Sequence, residues 1–344
     1  MIIDKDNVED IISLSPVQEG VLFQYLKNPA VNSYFERISL DIKTNCNVAA
    51  FRDAVAKTAA AHENLRCMFR WKALSQPVAI YLREFVPGIV YEDLSVLSNS
   101  PQLLMEKMLD EDYQQGFDLE QVPCRFLLCK LADRHFRLTF CYHHMLFDGW
   151  SNGIILKDLF RYWMPELSVQ GTTVNRRGSF KDYIHHTLNL DHSSSLQFWR
   201  DYMSGAGSLT RLPYRLAKGN TSFSPAKASV VPDREKVEAY CASLHITIAN
   251  FMYGIWGYLL QTYNHSDAAV FGTPVSGRLQ ALSEFEYTSG LFINTVPLCV
   301  KVTAGVTIAE FLQDLGKKLL ERATHEMTPL RDIRKSMDGE SGEE

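Results

Sequence analysis

No two cysteines stand at CxxC spacing and no HExxH run occurs, although the chain holds seven cysteines. A zinc ribbon, a thioredoxin-like redox motif and a zincin site are therefore not expected. A disulfide framework belongs to small secreted chains, so reduced and mostly buried thiols are the expectation for Cys46, Cys67, Cys124, Cys129, Cys141, Cys241 and Cys299. The opening MIIDKDNVED has no apolar h-region, so no signal peptide is read. No window approaches the ~20 apolar residues of a membrane span. Charge of one sign is not in excess either: the net charge is -5, which provides no basic field for nucleic acid or anionic lipid. Short-period repeats and low-complexity tracts are lacking. These absences leave a soluble cytoplasmic protein as the expectation, with no nucleic-acid or membrane partner.

What is present is an ordinary globular balance, 46% hydrophobic and 22% charged over 344 residues, enough for one large domain or two. Helical spacing and caps mark SLSPVQEGVLFQYL, with Ser15 as N-cap and Pro16 at the first helical position. VAAFRDAVAKTAAAHENLR and PQLLMEKMLDEDYQQGFDL also read as helices, the second closed by Gly116. Alternation in YFERISLDI, and the apolar runs CRFLLCKL and HFRLTFCYHH around the polar turn ADR, read as strands. Polar residues 167–177 read as a linker. Beyond it, HITIANFMYGIWGYLLQTY and TIAEFLQDLGKKLLERATHEM are helical, and AAVFGTPVSGR and LFINTVPLCVKV are strands. The acidic tail MDGESGEE reads as frayed. Both halves mix helices with strands, so the predicted class is α+β, with a first lobe over 1–170 and a second over 178–344.

Chemistry concentrates at the end of one strand, in CYHHMLFDGWS. Imidazole titrates near neutrality and suits proton transfer. Successive strand side chains point to opposite faces, so His143 and His144 cannot line the same cleft. One is expected to do chemistry and the other to support the fold; for the same reason they make poor co-ligands for one metal ion. Asp148 could brace the loop through backbone N–H groups or an arginine. Gly149 is expected to allow close approach or a positive φ. His185 and His186 form a second pair, inside a helix and without the trailing Asp-Gly, and read as ordinary histidines.

HHxxxDG together with an ordered set of further motifs resembles the condensation domains of non-ribosomal peptide synthetases. LSPVQEGVLF resembles the family's opening motif. HENLRCMF resembles RHExLRTxF, with Ala61 in place of the arginine and Cys67 in place of the threonine. FKDYI with FWRDYM, then FGTPVSGR, GLFINTVPLCV and HEMTPLRDI, follow in the family's order. The resemblance implies two chloramphenicol-acetyltransferase-like lobes meeting in a V, with a tunnel between them. Donor and acceptor peptidyl carrier proteins would dock at its mouths and present substrates on phosphopantetheine arms. No cofactor or metal is expected in the chain itself, and an adenylation domain of the same assembly line is the further implied partner.

By the same resemblance the catalytic group comprises His143, His144, Asp148 and Gly149, with the His144 ring facing the tunnel. Ser276, Asn294 and Trp150 are expected to contact substrate. Arg278 is expected to pair with Asp148 across the lobe boundary, and Arg66 is the alternative partner. Family members normally continue for roughly a hundred residues past HxxxPLxxI, which makes an incomplete second lobe an expectation. Two other readings stay open. One is a silent module that only binds carriers or other partners. The other is a free-standing HxxxD acyltransferase acting on a soluble alcohol or amine, although the plant-type DFGWG motif is absent.

Overall fold

In the computed structural model, residues 4–28, 31–96, 100–167, 178–204, 206, 210, 212, 229–278 and 283–337 are described. The expected linker, apart from Leu167, and the acidic tail from residue 338 lie outside them. Contacts divide the chain into Met1–Leu190 with Arg278–Ile293, and Asp191–Gly277 with Asn294–Glu344. The sequence reading set the join between 170 and 178. Instead the first helix after the linker stays with the first unit, and a later segment returns to it.

The first unit contains β1 (Val8–Ser13), α1 (Pro16–Lys27), β2 (Phe35–Ile42), α2 (Val48–Ala61), β3 (Cys67–Arg70), β4 (Val78–Leu82), β5 (Gly88–Asp93), α3 (Pro101–Gln115), β6 (Cys124–Ala132), β7 (His135–His143), α4 (Gly149–Trp163) and α5 (Phe180–Leu188). A complete capping box starts α1: Ser15 Oγ accepts the Gln18 N–H, and the Gln18 side chain accepts the Ser15 N–H. Gly116 ends α3 with φ +64, a conformation glycine adopts at little cost. β1, β4 and β3 form one small sheet, and β2-β7-β6-β5 form the larger one, antiparallel except where β5 runs parallel to β6.

The two central strands of the larger sheet, β6 and β7, are covered on both faces, so each is nearly unbroken in burial, while the outer strand β2 alternates. On one face Phe126 and Phe140 stack at 4.3 Å, and Phe51 of α2 bridges Phe126 to Trp163 of α4. On the other face, Leu127, Cys129 and Cys141 pack against Met105 and Leu109 of α3. His143 pairs with Phe35 at the end of the ladder. It shares the parity of Cys141, which puts its ring on the α3 side.

The second unit contains α6 (Ser193–Tyr202), α7 (Arg234–Ser243), α8 (Ile248–Asn264), β8 (Ala269–Val275), β9 (Asn294–Val300), α9 (Ile308–Ala323) and α10 (Leu330–Met337). β8 and β9 form an antiparallel pair. Leu298 and Val300 pack on Leu315 of α9 and Tyr253 of α8, while Trp199, Val296 and Ile333 close a second cluster. α8 lies so close to β9 that a Cβ built on Gly257 would sit 2.5 Å from Val300 Cβ. Gly257→Ala is therefore expected to destabilise this unit by about 1–3 kcal/mol through overpacking, read as a lower midpoint in urea unfolding.

All seven cysteines are free thiols, five of them buried and two partly so. Among the described residues, no helix is long and apolar enough to cross a membrane, and no group of three His, Cys, Asp or Glu could hold a metal ion.

Candidate functional site

The site is built where β7 runs out. His143 is 2% exposed, and its Nδ1 accepts the Met145 N–H at 3.2 Å. Tyr25 meets its ring edge-on. Burial first, and then the neighbouring His144, push its pKa down to about 4. At neutral pH the ring is an uncharged part of the fold and lines a cavity of about 390 Å³ with Tyr25, Ser33, Phe35 and Phe117.

This has a consequence for stability. The ordinary value is 6.5 and the folded value about 4. Above the first, both states hold a neutral ring. As pH falls below it, the unfolded chain takes a proton that the folded ring refuses, so stability is lost across that window and levels off beneath it. The loss from this group is about 2 kcal/mol at about pH 5. Urea melts at about pH 7 and about pH 5 should show His143→Gln losing less stability than the unsubstituted chain by that amount. An equal loss in both would remove His143 as the cause.

His144 lies just outside the strand and is half-buried. Its backbone N–H donates to Tyr34 O at 2.8 Å, and the Tyr34 ring stands edge-on to the imidazole, centroids 6.4 Å apart. The turn after it is held by Leu146 N–H donating to His143 O at 3.0 Å and by Gln18 Nε2 donating to Met145 O at 3.2 Å.

Asp148 is enclosed. It is the N-cap of α4, and its Oδ1 accepts the Ser151 N–H at 3.0 Å and the Ser151 hydroxyl at 2.8 Å. Arg278 reaches the same oxygen at 3.2 Å, and Oδ2 accepts the Phe292 N–H at 3.2 Å. The Asp148 N–H donates to Gly290 O at 3.1 Å. Arg278 also donates to Phe285 O and, at 2.8 Å, to Thr288 O, and lies over the Phe292 ring. A carboxylate held by this many donors braces the backbone and has no side open to a reacting group.

Asp148 pairs with Arg278 as expected, and three expectations need correction: the lobe boundary it was to cross, the place of Arg66 and the conformation of Gly149. The Asp148–Arg278 pair does not cross a lobe boundary, because Arg278 opens the segment that belongs to the first unit. Arg66 is not beside Asp148. It pairs with Glu9 at 3.1 Å and donates to the carbonyls of Ala59, Leu82 and Arg83. Gly149 has no positive φ, and a Cβ there would meet nothing within 4 Å. It is simply the first residue of α4. The amide of Asn294 is committed to Glu326 O at 2.8 Å and Thr328 O at 3.0 Å in the second unit, which ties β9 to the segment before α10. Ser276 is exposed in that unit. Trp150 is exposed, with its Nε1 donating to Glu286 O at 3.1 Å.

The sequence assigns no site role to Ser151, Tyr34 or residues 288–292, although Gly290, Leu291 and Phe292 open the motif GLFINTVPLCV. Ser151 was readable in principle, since an Asp N-cap places the residue three positions on within its reach. Gly290 gives no local signal: a Cβ there would lie 2.2 Å from the Phe180 ring, a contact made only after folding.

With that geometry in place, the comparisons define the class. Residues 8–343 match the family model described as Condensation domain. The chain belongs to the condensation domain family. It is 30% identical over 339 residues to surfactin synthase subunit 3 of Bacillus subtilis, covering 97% of this chain and 27% of that protein. It is 28% identical over 337 residues to tyrocidine synthase 2 of Brevibacillus parabrevis, covering 96% of this chain and 9% of that protein. The chain thus spans about a quarter or less of the length of these curated relatives. In fold it is similar to a mutant starter condensation domain of rhizomide synthetase in complex with C8-CoA and Leu-SNAC, with TM-score 0.79 and 18% identity over 96% of this chain and 75% of that one. It is also similar to a four-domain non-ribosomal peptide synthetase bound to AMP and glycine, with TM-score 0.77 and 19% identity over 97% of this chain and 25% of that one. These neighbours bear out the α+β class, and the chain shares their fold.

Proposed function

We propose that this chain forms an amide bond between two carrier-bound substrates, as a condensation domain in non-ribosomal peptide synthesis. The α-amine of an acceptor aminoacyl thioester attacks the carbonyl carbon of a donor thioester. The C–N bond forms, the C–S bond breaks, and the donor's thiol leaves with a proton. The observation that supports this reading is the division of labour at the motif. His143 and Asp148 are locked into the fold, and His144 alone of the three is partly exposed.

His144 would orient the amine and stabilise charge on the tetrahedral species. An α-amine with a pKa of roughly 8 is partly free base at neutral pH, so donors aimed at developing charge are the larger contribution. Phosphopantetheine-tethered substrates, donor and acceptor carrier proteins and an adenylation domain in the same assembly line follow from this reading. The test is reconstitution: purified chain is mixed with donor and acceptor carriers loaded with a panel of amino acids, and the carriers are analysed by intact-protein mass spectrometry. A dipeptidyl acceptor carrier is the expected product. Carrier binding with no amide from any pair would overturn the proposal in favour of a partner-binding module.

A further inference from the structure

Tyr34 has an unusual backbone for its type. Its φ is +66, in the left-handed region that bulky side chains rarely adopt. The other described non-glycine residues with positive φ include Arg134, in the turn between β6 and β7, and His265, at the C-cap of α8, where such a conformation is common. Tyr34 is the third residue of the turn over residues 32–35, closed by the Phe35 N–H donating to Asn32 O at 3.3 Å, at the last position before β2 and opposite the end of β7; with φ > 0 that position favours glycine or asparagine over a bulky tyrosine. A strained residue beside a candidate site needs a reason, because the surrounding structure must hold it there.

The reason is visible in what the conformation places. The Tyr34 carbonyl accepts the His144 N–H at 2.8 Å, so the turn fixes the backbone of the reactive residue. Its ring stands perpendicular to the His144 imidazole, at 89° with centroids 6.4 Å apart, and leans on the His143 ring at 6.2 Å and 52°. Both distances lie in the range where aromatic pairs attract. Tyr34 is thus a partition: one face of its surroundings is the buried imidazole and the other is the open one. The residue itself is 37% exposed, so its ring touches both imidazoles while keeping part of its surface open.

We propose that Tyr34 is a positioning residue for amide formation, holding the His144 imidazole in its reactive orientation through a backbone hydrogen bond and an edge-on ring contact. This rests on the role given to His144 above. A ring free to turn about its Cβ–Cγ bond spends less time in the productive geometry, and small misplacements of a reacting group are costly in rate.

Three variants separate the two contacts from the strain. Tyr34→Gly removes the ring while keeping a residue that adopts φ +66 freely, so its melting temperature should stay close to that of the unsubstituted chain. Its kcat should fall about tenfold with little change in KM, because the contact acts on the reacting geometry and not on substrate binding. Tyr34→Phe keeps the ring and should recover most of the rate. Tyr34→Ala should lose rate as Tyr34→Gly does but melt below it, since alanine loses the ring contacts while keeping, as tyrosine does, a Cβ in the left-handed region. A readout independent of turnover is the NMR signal of the His144 ring protons at fixed pH, which should move in Tyr34→Gly and return in Tyr34→Phe. Unchanged kcat and unchanged His144 ring signals in Tyr34→Gly would overturn the inference. If the unsubstituted chain makes no amide, the proposed function fails, and the ring signals still decide whether Tyr34 holds His144.

Discussion

His144→Ala is expected to lower the rate of amide formation by about 10²–10⁴-fold while the chain stays folded. His144 is half-buried and lies just beyond the end of β7, so removing its side chain opens no large core cavity. The backbone bond to Tyr34 O is unaffected by the side chain. The measurement is single-turnover formation of dipeptidyl carrier, with circular dichroism to confirm the fold. His144→Gln sharpens the result, because an amide can donate and accept hydrogen bonds but cannot take up a proton near neutrality. A rate well above that of His144→Ala would support orientation and charge stabilisation. A glutamine variant as slow as alanine would point to proton transfer. Normal turnover in His144→Ala would remove this residue from the chemistry altogether.

The second large effect concerns stability. Asp148 and Arg278 have side chains only 6% and 8% exposed, so neither has water to fall back on. Removing one partner of a buried pair leaves an uncompensated charge, at a cost of about 3–5 kcal/mol. For a domain with a typical margin of about 5–15 kcal/mol that is a large share. Arg278→Ala is expected to cost this much, seen as a fall in urea midpoint and poorer soluble yield. Asp148→Asn keeps an oxygen to cap α4 but removes the charge, and should cost less than Asp148→Ala. The double variant Asp148→Asn with Arg278→Met should be more stable than the sum of its parts implies, since both charges leave together. Additive losses would mean that the ion pair is not the source. Because Asp148, four residues beyond His144, also caps α4, the Asp148→Ala and Arg278→Ala variants should lose activity even at temperatures where they remain folded.

Much of this site was legible before any coordinates. Ser15, Pro16 and Gln18 spell a helix start in local chemistry alone, and α1 begins there. The alternation ahead of His143 identifies a strand, and opposite facing of adjacent residues explains why one histidine is buried and the other is partly open. What failed had no local cause. Asp-Gly at 148–149 reads as a turn, yet the aspartate is a helix cap, a distinction set by the Ser151 and Phe292 N–H groups donating to its carboxylate. Arg66 sits in a motif that carries no information about Glu9, which lies 57 residues away. VEDIIS and GIVYED became β1 and β5 through pairing with β4 and β6, not through strong patterns of their own. The capture of Arg278–Ile293 by the first unit depends on Gly290 meeting Phe180 and on Arg278 meeting Asp148, contacts that no periodicity announces.

That captured stretch has a practical meaning for anyone recombining domains of this family. A chimaera joined in the polar region near residue 170 would take Asp148 and Ser151 from one parent and their clasp from the other. A viable exchange carries residues 1–190 and 278–293 as one inheritance, although they are far apart along the gene.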